Sequence, residues 1–160
     1  MKFYDTASFG KRVEFTIIAK MLKEGLDIYR PMVDDKQIDC ILRRDDGTFA
    51  ELQIKGRSKN TDKTRAALFS AIKCIPNINY WFIFYSEGVG DNGTIWIMNS
   101  LEFVKLASKN KRGKNIDKYS ILFNSTKIDE LGNKIAYPRS LFVKYIAQDF
   151  SRIINNNVVI

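Results

Sequence analysis

The sequence predicts a single α/β (α+β) domain, a mixed sheet with helices packed on it. Three observations predict it. Residues 10–24, GKRVEFTIIAKMLKE, repeat apolar side chains at helical spacing. Residues 37–56 read as two alternating strands about a DDGT turn, the pattern of a β-hairpin. Residues 79–87, NYWFIFYSE, are almost all apolar or aromatic, as in a central strand buried on both faces.

The first helix carries Val13, Phe15, Ile17, Ile18, Met21 and Leu22 on an arc of about 200° at 100° per residue. Glu14 falls near the middle of that arc. A carboxylate there faces the body of the protein, which is costly unless it is paired or bound to a cation. The bland alternative is that Glu14 bends out to water or pairs with a neighbouring Lys. The helix ends at GLD, and DIYRPMV is a short extended piece. In the hairpin, Ile38, Cys40 and Leu42 share one face of the first arm, and Asp39, Ile41 and Arg43 share the other. NTDKTRAALFSAIKCI, residues 60–75, reads as a second helix capped by Asn60 or Thr61. After the aromatic strand come a GVGDNG turn and the strand TIWIMNS. SLEFVKLASKN is a short helix with Ser100 as N-cap and Glu102 in its first turn. YSILFNS is a further strand, and IDELGNKIAYP a loop or hairpin. SLFVKYIAQDFSRII closes as an amphipathic helix with Leu141, Phe142, Tyr145, Ile146, Phe150 and Ile153 on its apolar side. There is no internal repeat and no linker.

Composition narrows the chemistry. The chain has 160 residues, 45% of them hydrophobic, about the size of one globular domain. No apolar run approaches the ~20 residues of a membrane span. The start MKFYDTASFGKR lacks the apolar core of a signal peptide, so the expected location is the cytoplasm. Histidine is absent, which excludes His-based triads, His general bases and His-bearing zinc sites. Cys40 and Cys74 sit in apolar surroundings and read as buried free thiols. The net charge of +8 favours a polyanionic partner, nucleic acid above all. The charge clusters in KGRSKNTDKTR (55–65) and KNKRGKNIDK (109–118), which on the alternative reading are solvated loops.

The second arm of the hairpin, ELQIK, turns Glu51, Gln53 and Lys55 to one face. Asp39 lies on the adjacent arm, so Asp39 and Gln53 can converge, with Lys55 two residues on. The first helix would bring Glu14 to the same place. Carboxylate and amide oxygens suit a hard cation such as Mg²⁺. A lysine beside it can hold a phosphate or orient attacking water. Each residue also has a structural alternative. Asp39 could pair with Arg43 or Arg44, Gln53 could bond a neighbouring strand, and Lys55 could be a surface lysine.

The run GKRVEFTIIAKML … DDKQIDCIL … ELQIKGRS resembles the PD-(D/E)XK, or restriction-endonuclease-like, nuclease superfamily in its Gln-x-Lys variant. The resemblance implies an α-β-β-β-α-β core over about residues 10–100, with a C-terminal helical extension over about 101–160, all within one nuclease-like domain. It matches Glu14 to the helix glutamate, Asp39 to the metal-binding aspartate, Gln53 to the (D/E) position and Lys55 to the lysine. Asp35 matches a further acidic residue. Three departures stand out. No proline directly precedes Asp39, Gln37 stands where such sequences commonly have glycine, and Gln53 is neutral. Glu51 is the alternative source of the missing carboxylate.

The expectation is therefore a Mg²⁺-dependent nuclease, with Mn²⁺ as substitute, acting on nucleic acid and above all on DNA. Glu14, Asp39, Gln53 and the carbonyl of Ile54 would hold the metal. Lys55 would act on the water or the phosphate. Arg57, Lys59, Lys63 and Arg65 would track the backbone, with Lys111, Arg112 and Lys114 as outer contacts. Two other readings remain. One is a nucleic-acid-binding module of the same fold that cleaves weakly or not at all. The other is an interaction or assembly subunit, with the aromatic strand and the C-terminal helix as a homodimer face. No membrane partner is expected.

Overall fold

Helix α1 (Thr6–Lys23) lies on a five-stranded mixed sheet whose strand order is β1-β2-β3-β5-β6. The computed structural model describes residues 6–33 and 36–158. Strands β1 (Asp27–Tyr29), β2 (Cys40–Arg43) and β3 (Phe49–Arg57) form an antiparallel meander. A 3₁₀ turn at Lys63–Arg65 leads into β4 (Leu68–Ile72). β5 (Tyr80–Ser86) pairs parallel with β3, and β6 (Thr94–Asn99) pairs antiparallel with β5. Helix α2 (Ser100–Leu106) follows. β7 (Ser108–Lys109) and β8 (Tyr119–Leu122) join β4 in a second sheet of order β4-β8-β7. β9 (Asn124–Ile128) and β10 (Lys134–Pro138) are a separate hairpin. A 3₁₀ helix at Ser140–Tyr145 and the short α3 (Ser151–Ile154) end the chain's regular structure. The α+β class and the mixed sheet are as the sequence predicts.

Two apolar clusters sandwich the main sheet. On one face Val13, Ile17 and Met21 of α1 meet Leu42, Leu52, Trp81 and Ile83. On the other, Phe82, Phe84 and Trp96 meet Phe69, Phe103, Phe123 and Phe142. The parity of β3 follows. Ala50, Leu52, Ile54 and Gly56 face α1, because Leu52 and Ile54 lie beside Trp81 and Ile83. Gln53 and Lys55 lie beside Phe82 and Phe84 and face the aromatic layer. A Cβ on Gly56 would come within 2.7 Å of Val13 Cγ2, so glycine there lets α1 settle against the end of β3.

Four helical expectations are corrected. Residues 60–75 are not a helix: the cap is Asp62, on a single 3₁₀ turn, and β4 follows. A bulge between Phe69 and Ile72, with Ala71 at φ 57°, puts two inward residues three apart and so mimics helical spacing. The C-terminal stretch is not one helix either. The 3₁₀ helix buries Phe142 and Tyr145 at its own spacing of three, and leaves Leu141 and Val143 exposed. The chain then extends: Ile146 bridges to Trp96 and Ala147 N–H donates to Ile95 O, covering the β6 edge. The C-terminal extension is therefore not helical throughout: it carries the short strands β7 to β10 beside α2, the 3₁₀ helix and α3. In α2 the cap is Asn99 rather than Ser100, in a capping box with Glu102. Phe15 leaves the apolar stripe: it is 52% exposed, with the Arg30 guanidinium 4.6 Å above its ring.

Candidate active site

The site is built where β2 begins. Cys40–Arg43 pair with Leu52–Phe49, so Gln53 through Arg57 run past the end of β2 and pair only with β5. Asp39 fills the gap. Its N–H donates to Leu52 O at 2.9 Å, and its Oδ2 accepts the N–H of Ile54 at 2.6 Å. These bonds flank Gln53, so Asp39 lies alongside it. Arg43 approaches Asp27 at 3.9 Å, and Arg44 bonds Ile153 O and Thr48.

Glu14 reaches this edge from the α1 face. It is 4% exposed, as its place on the apolar arc predicts. Its Oε1 accepts from Arg30 at 2.6 Å and its Oε2 from Lys11 at 2.7 Å. The Lys partner lies one turn back, at i−3, and was foreseeable. Arg30, sixteen residues on, carries no sequence signal. Glu14 and Asp39 share one electrostatic neighbourhood, because both act on the same two groups. The Lys11 ammonium is pushed up, first by its bond to Glu14 and further by the fields of Glu14 and Asp39. Burial pushes the Cys40 thiol up to about 12, with Asp39 and Glu14 adding to it.

Gln53 enters from the opposite face. ELQIK's polar face is not a wet one: Gln53 is 2% exposed. Its Nε2 donates to Gln37 Oε1 at 3.4 Å, while its own Oε1 is buried with no hydrogen-bond partner among the described residues. Such an oxygen is costly to leave unpaired. Gln37 holds φ at 59°, a left-handed conformation uncommon outside glycine, and its carbonyl accepts from Tyr80 Oη at 3.0 Å. That strained residue is the one the sequence marked as a departure from glycine. Lys55, half-buried, follows on the Gln53 face. Glu51, also half-buried, lines a separate hollow of about 370 Å³ with Gln37, Lys73 and Tyr80. Asp35 lies outside the described residues.

The oxygens that the sequence nominates are two carboxylates that share one electrostatic neighbourhood, the Gln53 amide oxygen on the other face of the sheet, and the carbonyl of Ile54. These are hard oxygen donors of the kind a Mg²⁺ ion takes. Among the described residues no three Asp, Glu, Cys or His side chains cluster as metal ligands. In the structure Lys11 and Arg30 supply the positive charge at Glu14.

The predicted basic residues are dispersed. Arg57 ends β3 with its Nε buried and without a hydrogen-bond partner among the described residues. Lys59 is exposed just beyond, and Lys63 and Arg65 are on the 3₁₀ turn. Lys111, Arg112 and Lys114 are exposed on the connection from β7 to β8, in the other sheet.

No protein-family model matches the chain, and no curated protein matches it. Among solved structures it is similar to a bacterial homing endonuclease, I-Ssp6803I, with a TM-score of 0.55 over 89% of each chain and 17% sequence identity. What the two share is a fold, an α+β arrangement that serves as a nuclease scaffold in that protein. No helix among the described residues is long and apolar enough to cross a membrane.

Proposed function

We propose that this chain is a cytoplasmic, metal-dependent DNA endonuclease of the PD-(D/E)XK type. The observation that carries the reading is the Gln53 amide oxygen, buried without a partner alongside Asp39. The homing endonuclease that shares the fold supports it. Glu14, Asp39, Gln53 Oε1 and Ile54 O would hold Mg²⁺, or Mn²⁺ in its place. When bound, the ion neutralises charge on the phosphate and acidifies water. Glu14 would have to give up its bonds to Lys11 and Arg30 to serve as such a ligand. Lys55 holds the scissile phosphate and orients the attacking water. Water adds to phosphorus, the bond to the leaving sugar oxygen breaks, and that oxygen takes up a proton. Arg57, Lys59, Lys63 and Arg65 contact the backbone, with Lys111, Arg112 and Lys114 as outer contacts.

Plasmid and branched DNA incubated with Mg²⁺ or Mn²⁺ test this, beside Asp39→Ala and Lys55→Ala. Cleavage by the wild type and loss in both variants is the expected result. Cleavage surviving both changes would sink the assignment. A second reading, a DNA-binding module without cleavage, is favoured by two features: Gln53 is neutral and Glu14 is already paired with two cations. Binding without cleavage in either metal would select it.

A further inference from the structure

Past the metal-binding oxygens, the end of β3 opens into a groove of about 470 Å³. It is lined by Phe9 and Arg12 of α1, by Gly56 and Arg57 of β3, and by Lys59 beyond them. Four observations bear on what fills it. Among the described residues that line it, Arg12, Arg57 and Lys59 are basic and Glu87 is acidic; Arg12 donates to Ser8 Oγ at 3.3 Å and lies over the Phe9 ring, and Glu87 Oε2 is engaged by the Lys59 backbone N–H at 3.1 Å. The Arg57 Nε–H is buried with no acceptor among the described residues, and an anionic oxygen is the acceptor a guanidinium takes best. Gly56 permits the close approach of α1 that sets Arg12 beside Arg57, since any Cβ there would meet Val13. Finally, the groove does not close. It shares Phe9, Arg12 and Glu87 with a second hollow of about 280 Å³ that runs between α1 and Tyr85 to Lys20. A single small anion would leave that length unfilled, whereas a strand of linked phosphates would occupy it.

We propose that this groove seats the backbone of a nucleic-acid strand beside the scissile phosphate. Arg12, Arg57 and Lys59 form a phosphate clamp that works without metal. The inference rests on the nuclease reading for the identity of the strand, and adds Arg12, a residue of α1, to the interface. Arg57 is two residues beyond Lys55 on the same strand, so the clamp fixes the strand's register against Lys55.

The test is fluorescence anisotropy with the full chain in EDTA at several salt concentrations, using short labelled duplexes of two unrelated sequences. Arg12→Ala is expected to weaken binding about tenfold on both sequences alike and to lower the salt slope by about 1. Arg12→Lys should recover most of the loss. Wild-type affinity and slope in both Arg12→Ala and Lys59→Ala would overturn the clamp, as would a wild type that does not bind at low salt. The two proposals fail separately. Binding that depends on Arg12 without cleavage in Mg²⁺ or Mn²⁺ keeps the clamp and removes the nuclease. Metal-dependent cleavage untouched by Arg12→Ala does the reverse.

Discussion

The Asp39 carboxylate accepts the backbone N–H of Ile54 at 2.6 Å, taking the place of a ladder bond that β2 no longer supplies. One oxygen is therefore structural, and the residue has two separable jobs. Asp39→Ala orphans the Ile54 N–H and should cost about 1–3 kcal/mol in urea unfolding. Asp39→Asn keeps an acceptor and should lose less than half as much, yet lose all metal-dependent cleavage. Equal stability loss in the two variants would contradict the structural role.

Gln53 sets stability against function. Its Oε1, buried with no hydrogen-bond partner among the described residues, costs stability. Gln53→Leu should raise metal-free stability by about 1 kcal/mol and abolish the increase in Tm produced by Mg²⁺. Gln53→Glu should do the opposite, with a lower Tm in EDTA from a buried carboxylate and a larger rise on adding Mg²⁺. Thermal scans with and without the metal decide it. A Mg²⁺ response unchanged in Gln53→Leu would remove Gln53 from the ligand set.

Gln37 shows how strain supports that arrangement. At φ 59° the residue is held by its carbonyl bond to Tyr80 and by its side-chain bond to Gln53. Gln37→Gly should leave stability within about 1 kcal/mol of wild type, since relief of the left-handed conformation offsets added unfolded-state entropy. Gln37→Val, β-branched at positive φ, should destabilise by more than about 2 kcal/mol. Chemical denaturation of the three proteins measures both.

Alkaline pH should act through the same corner. The Cys40 thiol is pushed up from 9.0 to about 12, by burial first and then by Asp39 and Glu14. Burial pushes the Cys74 thiol up to about 11. In the unfolded chain these thiols release protons above pH 9.0, while the native state still holds them. Their contribution is complete below that pH and is lost as pH rises toward the folded values. The Lys11 ammonium, raised from 10.5 chiefly by its bond to Glu14, has the same sign at still higher pH. Urea stability should decline progressively from about pH 9 upward. The decline should be shallower in a Cys40→Ala/Cys74→Ala variant.

What the sequence made legible was local, and what it hid was long-range. Glu14's burial followed from its place among Ile17, Ile18 and Met21, and β5 followed from its unbroken apolar run. The pairing of Asp39 with the Gln53 strand followed from one short turn. The parity of ELQIK was right, but its polar face lies under Phe82 and Phe84, residues that reach it through a parallel pairing. Arg30 at Glu14 and Arg12 beside Arg57 likewise depend on how separate segments pack. The false helix at 60–75 came from a bulge that changed a period of two into an apparent three.

The C-terminal segment makes the last case. Arg152 of α3 donates to Glu102 Oε1 at 2.7 Å, with side chains only 17% and 1% exposed, and also donates to Ile97 O. Glu102 meanwhile accepts the Asn99 N–H at 2.7 Å to close the capping box of α2. One buried carboxylate thus ties α2 to α3 across β6, whose edge is covered by Ile146 and Ala147. Arg152→Ala takes the guanidinium from that buried carboxylate and should cost about 3 kcal/mol. Arg152→Ala with Glu102→Gln should recover part of the loss, because the amide oxygen still caps Asn99 while the buried charge is gone. With the strap loosened, the uncovered β6 edge should raise aggregation on heating. Equilibrium unfolding of the single and double variants, with light scattering during a thermal ramp, reads both effects. A double variant no more stable than Arg152→Ala would show that packing of the Arg152 stem, and not the charge on Glu102, holds the segment down.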